Sequence, residues 1–186
     1  IDHNDLTSYT NYTGLRKGDG DFEGYISNGD INKNNLIDAY DISAVTTQLE
    51  GGVAKDSAGA LSGTLLLLPG KASYKAGETI EIMVKGRNLN SVNALSLALP
   101  YNGQDYEYVG VTALQVKQME NLTYDRLHTN GNKALYPTFV NVGAKEQLTA
   151  NGELFIIKFK AKRDLKFDLK MTDGILVDKE LNSILF

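Results

Sequence analysis

From Gly63 to the end of the chain, apolar and polar positions alternate with period two. Ile80, Ile82 and Val84 alternate with Glu81, Met83 and Lys85, and Leu95, Leu97, Leu99 and Tyr101 with Ala94, Ser96, Ala98 and Pro100. Phe155, Ile157, Phe159 and Ala161 alternate with Leu154, Ile156, Lys158 and Lys160. This is the period of a strand with one covered face, and Asn-Gly, Gly-Asn and Asp-Gly pairs punctuate the runs. The pattern predicts strands over 64–68, 79–85, 93–100, 106–114, 135–142, 153–162, 166–172 and 175–178, hence an all-β sandwich. The first 52 residues read differently. Ile42, Val45 and Leu49 fall at i, i+3 and i+7, one face of a helix over 41–49 that Gly51-Gly52 stops. Small, polar residues over 53–62 read as a linker. The expected organisation is a module at 1–52, a linker at 53–62 and a sandwich at 63–186.

Composition narrows the chemistry. Of 186 residues, 42% are hydrophobic and 23% charged, as in a folded domain rather than a disordered chain. There is no cysteine, which excludes disulfides, zinc-thiolate sites and thiol nucleophiles. Only two histidines are present, His3 and His128, which argues against a multi-histidine metal centre. The longest apolar run, Leu65 to Pro69, is far short of the roughly 20 residues of a membrane span. The start shows no initiator methionine and no leader pattern, so the chain is expected to be part of a longer protein. Charge is uneven: residues 1–62 hold ten acidic and four basic side chains, residues 63–186 thirteen and fifteen, summing to −4. A net negative chain without a basic cluster argues against nucleic acid. The acidic first module directs attention to cations.

That module contains a repeat. Ile1-Asp2-His3-Asn4-Asp5-Leu6-Thr7 matches Ile37-Asp38-Ala39-Tyr40-Asp41-Ile42-Ser43 at an offset of 36 residues. Before the second copy, Asp30 to Asp41 forms a twelve-residue stretch with oxygen-bearing side chains at positions 1, 3, 5, 9 and 12. In an EF-hand loop these positions converge on one Ca²⁺, and the position-7 carbonyl completes the shell. Position 8 is the apolar Ile37, which pins such a loop to a core. Position 6 is Asn35, the non-glycine residue that best tolerates the positive φ required there. Turn formers plus an N-cap account for two or three of these residues, not for five at this spacing. The first copy retains only positions 8 to 12, leaving Asp2 and Asp5 as a partial site. Asp19 to Asp30 also fits several loop positions, but its last position is the first of the Asp30 loop, so it reads as an acidic turn.

GDINKNNLIDAYDISAVTTQLEG resembles the calcium loop and helix of a bacterial dockerin, and the resemblance covers residues 1–52. It implies that Asp30, Asn32, Asn34, the Leu36 carbonyl, Asp38 and Asp41 bind Ca²⁺, with Asp2 and Asp5 remaining from a partial first site. It also implies partner-binding at loop positions 10 and 11: His3 and Asn4 in the first copy, Ala39 and Tyr40 in the second. The two copies differ there, so a symmetric dual binding mode is not expected. Residues 63–186 are similar to a cohesin, the dockerin's partner module. The similarity rests on KAGETIEIMV after a strand, on Leu99-Pro100-Tyr101-Asn102, on YEYVGV from Tyr106, and on NGELFIIKFKA from Asn151. The implied fold is a small all-α, EF-hand-like dockerin module followed by an all-β jelly-roll sandwich.

No nucleophile elbow, phosphate-cradling glycine loop or HExxH motif is present, and acids such as Glu146 and Glu153 read as solvent-facing. His128, in a loop before an Asn-Gly turn, reads as exposed and inert. A shallow sugar site could draw on Tyr101, Tyr106, Tyr108, Tyr124, Tyr136 and Phe139, although there is no Trp. The expected function is therefore a non-catalytic, calcium-binding assembly module that engages cohesin or dockerin modules in cis or in trans. The resemblance implies a secreted or cell-surface bacterial carbohydrate-active protein. Carbohydrate binding by the sandwich is the alternative.

Overall fold

The computed structural model describes residues 11–24, 26–46, 59–143 and 145–186. The strands, in chain order, are β1 (Ser62–Pro69), β2 (Ser73–Tyr74), β3 (Thr79–Val92), β4 (Ala94–Tyr101), β5 (Tyr106–Ala113), β6 (Glu120–Asn121) and β7 (Tyr124–Leu127). They continue as β8 (Lys133–Tyr136), β9 (Thr138–Val140), β10 (Leu148–Ala161), β11 (Leu165–Lys166), β12 (Thr172–Val177) and β13 (Ser183–Leu185). One antiparallel sheet has the order β1-β3-β10-β5. The other runs β13-β12-β4-β8-β7, with β9 pairing β4 and β6 pairing β9. Ile80, Ile82 and Val84 of β3 and Phe155, Ile157 and Phe159 of β10 meet Leu95, Leu97 and Leu99 of β4 in the core between the sheets. Phe139 and Phe155 pack with ring centroids 4.8 Å apart. Phe159 takes the edges of Tyr101, Tyr106 and Tyr108 at 4.9, 5.8 and 5.9 Å, the arrangement aromatic quadrupoles favour.

The all-β sandwich expected of 63–186 is present, with differences that have physical causes. Residues 135–142 do not make one strand: Pro137 supplies no ladder N–H, and the chain splits there into β8 and β9. The stretch expected over 166–172 does not form one strand: its start pairs with β2 at Leu165–Lys166, and Thr172 opens β12 against β4. β3 and β10 run past their predicted ends because register shifts in their pairing absorb the breaks in alternation. At one of them Leu154 and Phe155 both turn inward, while Glu153 stays outside opposite Lys85.

Among its described residues the first module shows no all-α unit. The one α-helix lying wholly within the described residues is α1 (Ala39–Thr46), preceded by a 3-10 turn at Ile26–Gly29. The helix starts two residues earlier than the apolar spacing predicts. It buries Ala39, Ile42, Ser43 and Thr46 rather than the face drawn through Val45. Only Ile42 belongs to both faces; Leu49 lies outside the described residues. This segment forms a third layer on the sandwich: Ala39 and Ile42 pack with Ala94, Val140, Ile175 and Val177, and Leu36 with Ala98, Ala134 and Tyr136. A smaller cluster of Leu15, Phe22 and Ile37 lies within the segment.

Candidate functional site

The Asp30–Asp41 loop is built by its own side chains. Asp38 is the N-cap of α1: its Oδ1 accepts the Tyr40 N–H at 2.8 Å, while Asp41 Oδ2 accepts the Asp38 N–H at 3.0 Å. Together they form a reciprocal capping box. The other Asp41 oxygen accepts the Ile31 N–H at 2.7 Å and so draws the start of the loop against its end. The Asp30 carboxylate accepts the N–H groups of Asn34 and Asn35 at 3.1 and 2.8 Å. Asn35 has φ +67°, the left-handed conformation expected at position 6. Asn32 Oδ1 accepts the Asn34 N–H, and Asn34 Oδ1 accepts the Leu36 N–H. The Asn34 amide nitrogen donates to Asp38 Oδ2 at 2.8 Å, so at position 5 the nitrogen rather than the oxygen faces the carboxylate. From outside, Ile37 exchanges N–H and C=O bonds with Leu15 and Gly14 at 3.0 and 2.9 Å. Its side chain is buried against Leu15 and Phe22, the pinning role expected of position 8.

Asp30, Asp38 and Asp41 are 7%, 4% and 0% exposed. None forms an ion pair among the described residues. Burial pushes the Asp41 carboxyl up to about 7, with the neighbouring Asp38 and Asp30 charges adding to it against two backbone hydrogen bonds. Burial also raises Asp38, opposed by hydrogen bonds from Asn34 and Tyr40 and reinforced by Asp30 and Asp173. Capping explains Asp38 and Asp41 but not the burial of a third carboxylate beside them. Buried carboxylates without a counter-charge are costly, and a hard divalent cation relieves them. Among the described residues no three His, Asp or Glu side chains could hold an ion by themselves. The other oxygens of the loop that would complete a shell are the Asn32 and Asn34 side-chain oxygens, which here accept the Asn34 and Leu36 N–H groups, and the Leu36 carbonyl. The donor chemistry fits Ca²⁺.

Along the seam between this segment and the sandwich lies a set of polar contacts. The Arg126 guanidinium, 8% exposed, donates to the carbonyls of Asn11 and Thr13 at 2.7–3.0 Å and stacks over Tyr124. His128 Nδ1 lies 2.7 Å from Asp19 Oδ2, and its Nε2 lies 2.6 Å from the Tyr136 hydroxyl. That hydroxyl accepts Arg16 Nε at 2.9 Å, and the Arg16 guanidinium pairs with Asp173 at 2.5 Å. Asp19 also accepts the N–H groups of Arg16 and Thr129, and despite its burial these bonds and His128 hold its carboxyl below the ordinary range. At the helix, Ser96 Oγ accepts the Ala39 N–H at 3.1 Å. Gly14 runs so close to the Tyr136 ring that a Cβ would sit 2.2 Å from it, and its φ is +83°.

The structure thus brings Asp30, Asn32, Asn34, Leu36, Asp38 and Asp41 into one loop. Asp2, His3, Asn4 and Asp5 lie outside the described residues. Ala39 is fully buried and Tyr40 half-buried, both against the sandwich. His128 is not exposed; it is 8% accessible and a central group of the seam. Asp19 is taken up by the seam, where it accepts the Arg16 and Thr129 N–H groups and lies against His128. Tyr101, Tyr106, Tyr136 and Phe139 are buried, so they offer no sugar-stacking platform. Glu146 and Glu153 are exposed, as read from the sequence. Arg16, Arg126 and Asp173 carry no local signal and were not expected at an interface. The small outward residues Ala94, Ser96 and Ala98 were visible as the polar phase of β4, but they are the floor on which the loop and α1 rest.

Two antiparallel sheets packed face to face place the chain among the all-β sandwich proteins. The cohesin-domain family model matches residues 67–184, and the chain belongs to the cohesin family. Solved cohesins share the fold. A type II cohesin from the cellulosome of Acetivibrio cellulolyticus is 14% identical, with TM-score 0.50 over 66% of this chain and 88% of that one. A type I cohesin–dockerin complex from Clostridium thermocellum gives 18% and TM-score 0.50 over 70% and 92%. A cohesin module of a family 33 glycoside hydrolase from Clostridium perfringens gives 11% and TM-score 0.50 over 68% and 91%. No curated protein matches the chain. Cohesin domains are non-catalytic structural modules. Among the described residues no helix is long and apolar enough to cross a membrane.

Proposed function

We propose that this chain is a protein–protein assembly module in which a dockerin-like calcium loop and helix sit in cis on a cohesin sandwich. Asp30, Asn32, Asn34, the Leu36 carbonyl, Asp38 and Asp41 hold one Ca²⁺. When bound, the ion supplies the positive charge that three buried carboxylates otherwise lack. The observation that carries the reading is the packing of Leu36, Ala39 and Ile42 onto one outer sheet face. Asp38 and Asp41 cap α1 and Asp30 shapes the turn before it, so ion binding and helix placement are one event. Ala39 and Tyr40, the positions a dockerin would offer to a separate cohesin, are turned instead to this chain's own sandwich. Internal docking is favoured because a tether raises the local concentration into roughly the millimolar range. A partner in trans, cohesin or dockerin, must then compete with it. The C. thermocellum relative is a cohesin–dockerin complex and the C. perfringens one belongs to a glycoside hydrolase. Both support placing this chain in a secreted or cell-surface bacterial carbohydrate-active protein.

The test combines stability and capture. Thermal unfolding should shift upward with Ca²⁺ in the parent and not in Asp30→Ala/Asp41→Ala, because a ligand bound only by the folded state raises its stability. Equal melting with and without Ca²⁺ refutes the ion. Pull-down against isolated cohesin and dockerin modules should capture more when α1 is weakened by Ile42→Asp. A polysaccharide affinity gel should show no retardation; retardation without any protein partner would favour the carbohydrate reading instead.

A further inference from the structure

The loop and α1 cover the outer face of the sheet containing β4, but the outer face of the β1-β3-β10-β5 sheet carries no such layer among the described residues. An antiparallel sheet facing water should present polar side chains there. Here the register aligns Leu68, Met83 and Ile156 directly across β1, β3 and β10, with Leu66 beside them. Leu68 is 43% exposed, and Leu66, Met83 and Ile156 are half-buried. None of the four belongs to the interior cluster. One step along the strands on one side, Lys85 of β3 stands opposite Glu153 of β10. One step the other way, Glu81 of β3 stands opposite Lys158 of β10, their charged atoms 3.7 Å apart. The charges therefore alternate in sign around the apolar row.

We propose that this face pairs with the same face of a second copy of the chain, forming a weak two-fold dimer. The argument is symmetry. Stacking two such faces about a two-fold axis parallel to the strands sets Lys85 over the partner copy's Glu153 position and Glu81 over its Lys158 position. An axis perpendicular to the strands sets Lys85 over Glu81 and Glu153 over Lys158. In both cases each of these four charges meets an opposite one and Met83 and Ile156 of the apolar row face the same two residues of the other copy. A two-fold interface repeats each contact, and like charges brought face to face cost several kcal/mol.

Sedimentation equilibrium of the full chain, across low to high micromolar concentration, tests this. The parent should show a reversible monomer–dimer equilibrium. Lys158→Glu places Glu against Glu and should weaken it by at least about tenfold, as should Ile156→Asp by burying a charge. For an axis parallel to the strands, Glu81→Lys/Lys158→Glu exchanges the two facing signs and should restore the parent affinity to within a few fold; for an axis perpendicular to them, Glu153→Lys/Lys158→Glu does so. All these positions face outward, and an unchanged far-UV spectrum verifies that each variant is folded. A parent that stays monomeric throughout overturns the proposal. So does a dimer that ignores Lys158→Glu and Ile156→Asp, because its contact lies elsewhere.

Discussion

Asp41→Asn tests the electrostatics of the loop most directly. In the folded chain burial and the charges of Asp38 and Asp30 push the Asp41 carboxyl to about 7, against an ordinary 3.8. Without a cation, the folded state therefore keeps a proton that the unfolded chain has released throughout this window. The stability contributed by that proton is fully present below about pH 3.8 and is lost as pH rises toward 7. At about 1.4 kcal/mol per pH unit, the loss reaches on the order of 4 kcal/mol. Asn cannot titrate. It also cannot accept both the Ile31 and Asp38 N–H bonds with its single oxygen, an offset of about 1 kcal/mol that does not vary with pH. Urea unfolding followed by far-UV circular dichroism, in chelator, should show the parent losing stability relative to Asp41→Asn between pH 4 and 7. Asp38 is raised in the same direction and Asp19 lowered in the other, so the parent-minus-variant difference is the quantity to read. With Ca²⁺ in excess the cation binds the carboxylate and holds its pKa down, so the parent's loss of stability between pH 4 and 7 should disappear. Parallel pH profiles for parent and variant in chelator would refute the burial argument.

Other perturbations follow from the contacts. Ile42→Ala removes most of a fully buried side chain where α1 meets the sheet and should cost about 2–4 kcal/mol, read as earlier release of the segment to limited proteolysis. Gly14→Ala combines a positive φ with a Cβ inside the Tyr136 ring contact; its loss of stability should be relieved in part by Tyr136→Leu. Asn35→Gly, at φ +67°, should be neutral or stabilising by up to about 1 kcal/mol in thermal unfolding. Phe159→Ala should cost about 3–5 kcal/mol in urea unfolding, since three tyrosine rings close on it.

Much of the sandwich was legible because burial on one face writes a period of two into the sequence. β4 and β5 fall within a residue or two of their predicted ends. Prediction failed where pairing rather than alternation sets the limits: Pro137 breaks a strand by lacking a donor, and β3 and β10 outlast their alternation by bulging. The loop was legible for a different reason. Its hydrogen bonds are local, so Asp30, Asn35, Asp38 and Asp41 carry their geometry in their spacing. The seam was not. Arg126 with Thr13, His128 with Asp19 and Arg16 with Asp173 join residues more than 100 apart, and no neighbour in sequence distinguishes them from solvated charges.

What the amino-acid order determined by itself was therefore what neighbouring residues enforce: the strand faces and the positive-φ turn at Asn35. Only tertiary structure decided that α1 turns Ala39 and Ile42 onto Ala94, Val140 and Ile175 instead of outward to another protein. The small side chains Ala94, Ser96 and Ala98 look like an ordinary solvent phase when read along β4. Their flatness becomes a docking surface only when another part of the chain lies across it, because burial belongs to pairs of surfaces and not to either one alone.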